Sequence, residues 1–264
     1  MLKKLLKYDL IWINKNLVYF YAIAFLFAII GRLFSLIDNS IFATVISKIC
    51  FGITIAFVVN AIVNGIIRSW VRFINNCYKD ESYLTHTLPV TKKEIYSAKF
   101  IASILTMIIG VILSFIAFAI CYLSVDLIDT IKQMLNILEN QNISIVLIII
   151  LFIILLILEF IFIISIGNFG IILGHKHNNK KFLNSVLYGF GGFFAANFVT
   201  LLLIVFLSLF NDGIKSLMFD SSNFVMSNSL FITLLLISIS CYIVYIVIIF
   251  FVNNKQFNKG VNVD

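Results

Sequence analysis

Six blocks of predominantly apolar residues, roughly 17–37, 43–67, 99–123, 144–174, 183–210 and 229–252, are separated by short polar stretches. Apolar blocks of about 18 residues or more are what a hydrocarbon slab ~30 Å thick demands of helices rising ~1.5 Å per residue. A strand barrel would instead alternate apolar and polar residues over about ten positions, and no such alternation occurs. The blocks therefore predict an all-α integral membrane protein with six transmembrane helices. Composition agrees, since 62% of the 264 residues are hydrophobic and only 12% are charged. A mean hydropathy of +1.10 leaves too little polar surface for a soluble domain of this size. No Pro/Gly-rich linker or second soluble domain interrupts the chain, whose sole proline is Pro89, so 1–264 is expected to form a single transmembrane domain.

Charge gives the orientation. If the chain starts inside, only Arg32, Lys48, Lys132 and Lys215 of the 19 basic residues fall outside, and the other 15 fall on the cytoplasmic side. That bias obeys the positive-inside rule and predicts cytoplasmic N- and C-termini. The acids lean the other way, with Asp38, Asp126, Asp129, Glu139, Asp212 and Asp220 outside. The net charge of +7 is explained by the same bias, and no basic segment coincides with a nucleic-acid motif. Lys3, Lys4 and Lys7 resemble the basic start of a cleaved signal, yet Gly31-Arg32-Leu33 after the apolar stretch Leu17–Ile30 offers no cleavage site, so a retained span is expected. Leu2, Leu5, Leu6, Leu10 and Ile13 repeat near helical spacing among those lysines, which predicts an amphipathic interfacial helix over residues 1–16.

Two outer segments suit surface elements. Leu127, Ile131, Leu135 and Leu138 predict a surface helix in 124–143, and the mixed segment 211–228 is expected to dip into the outer leaflet. Cys50, Cys77, Cys121 and Cys241 lie far apart and form no disulfide or zinc pattern. Asn142-Ile143-Ser144 matches a glycosylation acceptor, but the rich use of Ile, Phe, Asn and Lys suggests a bacterial, AT-rich source in which that match is idle.

The longest cytoplasmic loop, 68–98, carries the segment with functional meaning. Asp80 and Glu81 open a stretch able to form two to three helical turns, where the helix dipole favours negative charge. Leu84 and Leu88 lie four apart on one face, and Pro89 disfavours helix at the residue before it. Thr91-Lys92-Lys93-Glu94 then has capping-box spacing and restarts a helix into the third span. A short helix held parallel to the membrane, with an apolar face for a soluble partner, is the expected product.

The run Asp80-Glu81-Ser82-Tyr83-Leu84-Thr85-His86-Thr87-Leu88-Pro89-Val90 resembles the E-x-Y-L-T-x-T-L-P-V segment of type-2 ABC exporter permeases, above all the multidrug and antimicrobial-peptide resistance permeases of low-GC Gram-positive bacteria. The motif covers about a dozen residues; the six-span layout and inside termini extend the similarity over nearly the whole chain. The resemblance implies that Asp80, Glu81, Tyr83, Leu84, Leu88 and Pro89 form a coupling helix between spans two and three that touches an ABC ATPase subunit. It implies a permease in the bacterial plasma membrane, paired with a second copy or a related permease. The expected cargo is a hydrophobic drug, a lipid-like molecule or an antimicrobial peptide. ATP and magnesium would belong to the partner, because this chain has no phosphate-cradling G-x-x-x-x-G-K-[ST]. No catalytic residue, cofactor site or metal site is expected in the chain itself.

Glu159 is the one acid deep in a span, following the apolar run Val146–Leu158. Its two readings are a polar point on a substrate path, able to recognise a cationic group, and a structural hydrogen bond to a helix carrying Asn60, Asn64 or Asn197. Gly170-x-x-x-Gly174 suits either a dimer face or packing within the chain, and Gly189-Phe190-Gly191-Gly192 suits helix packing. His175 and His177 flank Lys176 without further metal ligands, and His86 falls in the coupling segment. Two other classes stay open: a membrane signalling or assembly protein that binds without transport, and a secondary transporter. The latter would show internal repeats and broken helices, of which the chain offers little.

Overall fold

The computed structural model describes residues 2–37, 40–122, 145–219 and 228–260. Every element in them is an α-helix: α1 Leu2–Ser35, α2 Ile41–Cys77, α3 Ser82–Thr87, α4 Lys92–Tyr122, α5 Ile145–Gly174, α6 Lys181–Ser208, α7 Asp212–Phe219 and α8 Asn228–Asn258. Six of them, all but α3 and α7, are long and apolar enough to cross a membrane. The chain is therefore an all-α multi-pass membrane protein, compatible with a transporter role.

The long helices overrun the expected spans, and this changes two readings. No turn separates an interfacial helix over 1–16 from a first span, because α1 is unbroken from Leu2 to Ser35. Its buried residues Asp9, Ile13, Leu17, Tyr21, Ala24, Ala28 and Gly31 follow one another every three or four positions, so one seam runs straight through residue 16. Nothing there, neither proline nor glycine, would end a helix. The loop 68–98 likewise shrinks to residues 78–91, since α2 continues to Cys77 and α4 begins at Lys92. At ~1.5 Å per residue, a helix of 34 or 37 residues outreaches a ~30 Å hydrocarbon core by about 20 Å or more.

The chain divides into two compact units, Met1–Ile137 and Leu138–Asp264. In the first, α1, α2 and α4 pack against one another along seams of small residues. Ala24, Val58 and Ala117 meet at one level, and Ile13, Leu17, Tyr21, Ala61 and Ala102 at another. Lipid supplies no hydrophobic drive between helices, so close approach and interhelical hydrogen bonds must hold them. Thr54 donates through Oγ1 to the Ala24 carbonyl at 3.4 Å, and Asn14 through Nδ2 to Thr106 Oγ1 at 3.2 Å.

In the second unit, α5 packs on both α6 and α8. Gly170 and Gly174 face α6, where a Cβ on Gly170 would press on the Ser185 carbonyl oxygen and lie 2.7 Å from Gly189 N. The G-x-x-x-G is thus consumed by packing within the chain. Gly189 and Gly192 also face α5, whereas Gly191 has open space around it. Asn211 caps α7 through Oδ1, accepting from Gly213 N and Ile214 N at 3.0 and 3.3 Å. The segment expected to dip into the leaflet contains this short helix; its residues 220–227, and the surface helix expected in 124–143, lie outside the described residues.

Candidate functional site

Sequence reasoning singled out residues 80–89, and the structure places them on a platform it did not foresee. α3 spans only Ser82–Thr87, under two turns, because Leu88 before Pro89 adopts extended backbone (φ −63°, ψ 142°). Thr91 then caps α4 reciprocally with Glu94: Thr91 N donates to Glu94 Oε2 at 2.9 Å, and Glu94 N donates to Thr91 Oγ1 at 3.3 Å. One side of α3 is turned inward, with Ser82 and Thr85 buried. The other presents Tyr83 and Leu84, 68% and 75% exposed, and Leu88 just beyond it is also exposed. Asp80 and Pro89 are exposed at either end.

Glu81 does not cap α3 through its side chain. Its carboxylate turns back to α2, accepting from Arg72 Nη1 at 2.9 Å and from Asn76 Nδ2. Arg72 also donates through Nε to Asp9 Oδ1 of α1 at 2.7 Å. Lys99 of α4 donates to both Asp9 oxygens at 3.3 Å and to Asn76 Oδ1 at 2.6 Å. Five side chains, from α1, α2 and α4 and from Glu81 just before α3, thus form one connected cluster. It lies where α1 and α4 begin and α2 ends. Two carboxylates face two cations, so the cluster balances its own charge. Asp9, Asn76 and Lys99 are buried, while Glu81 keeps 47% of its side chain in the open.

Neighbouring groups brace this cluster. Arg68 donates to the Ile13 and Trp12 carbonyls at 2.9 and 2.6 Å and lies 4.6 Å from the Trp12 ring centroid, with Arg72 at 5.2 Å. Phe73 packs edge-on against Tyr78 and Tyr96, and Tyr96 stacks on Phe100. Burial, seconded by Cys77 and Tyr96, pushes the Tyr78 phenol well above its ordinary value, which fixes it as a neutral wall of the platform. His86 Nε2 lies 3.2 Å from the Cys77 carbonyl oxygen and ties α3 to the end of α2.

Sequence reasoning counted Arg72 and Lys99 only as orientation markers and passed over Asp9 and Asn76. A signal was present: each falls in phase with the buried seam of its helix, Asp9 four before Ile13 and Asn76 three after Phe73. Elsewhere, Glu159 lies at the middle of α5 and is exposed. The amides of Asn60, Asn64 and Asn197 donate to carbonyls of their own helices. His175 is held by the Ile171 carbonyl at 2.9 Å and His177 by the Tyr188 hydroxyl at 2.9 Å, so the pair does not converge. Among the described residues, no group of three or more His, Cys, Asp or Glu side chains is placed to hold a metal ion.

No family model, curated protein or solved structure matches the chain. Its class therefore rests on its own fold: a six-span, all-α membrane protein with a short, charge-anchored helix between its second and third spans.

Proposed function

We propose that the chain is the permease subunit of an ATP-driven exporter, with α3 as the lever that docks on a separate ABC ATPase. The observation that carries this reading is the two-sidedness of α3. Its inner side is tied through Glu81 to α1, α2 and α4, while Tyr83, Leu84 and Leu88 are turned outward and exposed. A docking helix needs both properties, an apolar face that a groove can cover and a stiff mounting that passes on the push.

Six crossings put both ends on one side, and the excess of Lys and Arg makes that side the cytoplasm, which also puts α3 beside a cytoplasmic motor. ATP and magnesium would sit on that motor. Two permeases, identical or related, would pair with two ATPase subunits in a bacterial plasma membrane. A hydrophobic drug, a lipid-like molecule or an antimicrobial peptide would be the cargo. The resemblance of residues 80–90 to type-2 exporter permeases supports this choice over a signalling or assembly protein. The test is to purify tagged wild type and Leu84→Asp from native membranes and probe for a co-purifying P-loop ATPase. Wild type is expected to retain the ATPase and Leu84→Asp to lose it, with cargo export, at equal membrane abundance. Undiminished ATPase capture by Leu84→Asp would remove the docking assignment.

A further inference from the structure

Three helix ends meet at one end of the second unit: the finish of α5, the start of α6 and the finish of α8. Asn253 of α8 donates through Nδ2 to the Ser165 carbonyl of α5 at 3.0 Å, and Phe257 is fully buried, so α8 stays packed to its last turn. The turn 175–180 between α5 and α6 is held in place as well. His177 stacks on Tyr188 of α6 with ring centroids 5.7 Å apart, and Lys176 reaches across to donate through Nζ to Gln256 Oε1 of α8. Charge at this end is one-sided. Lys176 and Lys180 of the turn and Lys255 and Lys259 of the α8 end are exposed, and Lys181 opens α6 beside them. Among the described residues of the second unit the acids are Glu159, in mid-α5, and Asp212, at the start of α7, so none lies here. In the first unit, by contrast, Arg72 and Lys99 each have a carboxylate. Burial, seconded by the nearby Lys259, pulls the Lys176 ammonium below its ordinary value, and an anion would offset both effects.

We propose that this end of the second unit binds an anionic phospholipid, with its phosphate between Lys176 and Lys259 and its acyl chains against the start of α6. Depth favours a lipid over an acidic soluble partner. Lys255 lies three residues beyond Val252, a rise of ~4.5 Å past the apolar block, and Lys176 follows two residues after Gly174. Both therefore fall in a headgroup layer roughly 5–7 Å thick, where phosphates are the neighbouring anions. Beside them Phe182 and Leu183 are 77% and 52% exposed, an apolar surface that suits acyl chains and gives an acidic peptide nothing to pair with. Because lysines from two separate elements converge through Gln256, one phosphate can meet both. This binding needs no ATPase and does not depend on the permease reading.

The experiment uses the full chain in phosphatidylcholine nanodiscs, with its native cysteines replaced by Ala and a bimane fluorophore on Val186→Cys, an exposed position one turn in from Phe182. Nitroxide-bearing phosphatidylglycerol and nitroxide-bearing phosphatidylcholine quench the fluorophore at short range, and their ratio gives the relative binding constant there. Each lysine near a charged headgroup changes binding about fivefold, so a preference for phosphatidylglycerol of about tenfold or more is expected. Lys176→Gln with Lys259→Gln should lower that preference at least about fivefold, and Lys176→Arg with Lys259→Arg should keep it. A fluorophore on Leu202→Cys, near the other end of α6, should report a ratio near unity. Inorganic phosphate at matched ionic strength should leave the preference at position 186 in place. A ratio near unity at position 186 would leave the lysines to an acidic soluble partner and overturn the proposal. So would a ratio unchanged by the glutamine pair, lowered as much by Lys3→Gln with Lys4→Gln, or erased by inorganic phosphate.

Discussion

Replacing Asp9 by Asn tests whether the charge cluster holds the end of the first unit together. The carboxylate is 4% exposed and meets Arg72 at 2.7 Å and Lys99 at 3.3 Å. Arg72 would keep Glu81 as a counter-charge at 2.9 Å. Lys99 would keep only the neutral Asn76, with 8% of its side chain exposed. Removing one member of a buried pair and stranding the other costs about 3–5 kcal/mol. Each ~1.4 kcal/mol is a tenfold change in an equilibrium, so opening of this end should become at least about 100-fold more frequent. Cys77 is a built-in reporter, fully buried and within electrostatic reach of Lys99, Asp9 and Arg72. In a chain with Cys50, Cys121 and Cys241 replaced by Ser, the labelling rate of Cys77 by a maleimide measures that opening. Asp9→Asn should raise it by about two orders of magnitude. Adding Lys99→Met removes the stranded charge and should recover most of the loss. A labelling rate within a factor of three of wild type for Asp9→Asn, or no recovery in the double variant, would refute this account of the cluster.

Three further outcomes follow from the same geometry. Gly174→Leu should destabilise the second unit severely, because a Cβ there would lie 2.5 Å from the Ser185 Cα, whereas Gly191→Leu has open space; thermal aggregation in detergent separates the two, and equal stabilities would contradict the α5–α6 contact. Thr91→Ala removes the hydroxyl that accepts from Glu94 N, one half of the α4 capping box, while the Thr91 backbone N–H that donates to Glu94 is kept; it should cost about 1 kcal/mol, read as faster amide exchange over residues 92–96 with little change near Gly110. Neutralising the cluster's charged members (Asp9→Leu, Arg72→Met and Lys99→Met, with Glu81→Gln at the open end beside Asn76) should leave thermal stability near wild type or above it, since buried ion clusters gain little over well-packed apolar groups. That variant should nonetheless loosen α3, seen as a broadened spin-label distance distribution between positions 84 and 15, and an unchanged distribution would show that charge does not position it.

The spans and the start of α4 were legible because they depend on neighbours in sequence. Blocks of apolar residues, a proline after Leu88 and a Thr91–Glu94 pair each act over a few positions. The cluster was not legible in that way. Asp9 lies 63 positions from Arg72 and 90 from Lys99, and nothing local distinguishes a basic residue awaiting an acid from one facing water. The reading of 1–16 as a separate helix failed for a related reason. Lysines on one side of α1 gave an amphipathic pattern, but the seam that includes Asp9 stays in register with the apolar span that follows. Glu81 was assigned to the helix dipole on position alone, and the nearby Arg72 and Asn76 drew it elsewhere. The G-x-x-x-G left its partner open because small residues declare close approach without saying to what.

How α3 is fastened bears on what it can do. The side-chain hydrogen bonds that tie α3 and its preceding residue to a long helix run through Glu81 and His86, both to α2. Charged hydrogen bonds are directional, and a network that exchanges partners only in whole steps resists small tilts better than a greasy surface of the same size. Among the cluster's charged members, Glu81 is the open one, and Arg72, Lys99 and Asp9 behind it are enclosed, increasingly in that order. On the proposed coupling role, a load on Tyr83 or Leu84 would reach Glu81 first and be passed to α2 through Arg72 and Asn76, then to α1 and α4 through Asp9 and Lys99. The path crosses from a six-residue helix to three long ones within five side chains. A mounting of this kind links a short exposed helix to an entire three-helix unit, which is the property that the proposed coupling role calls for.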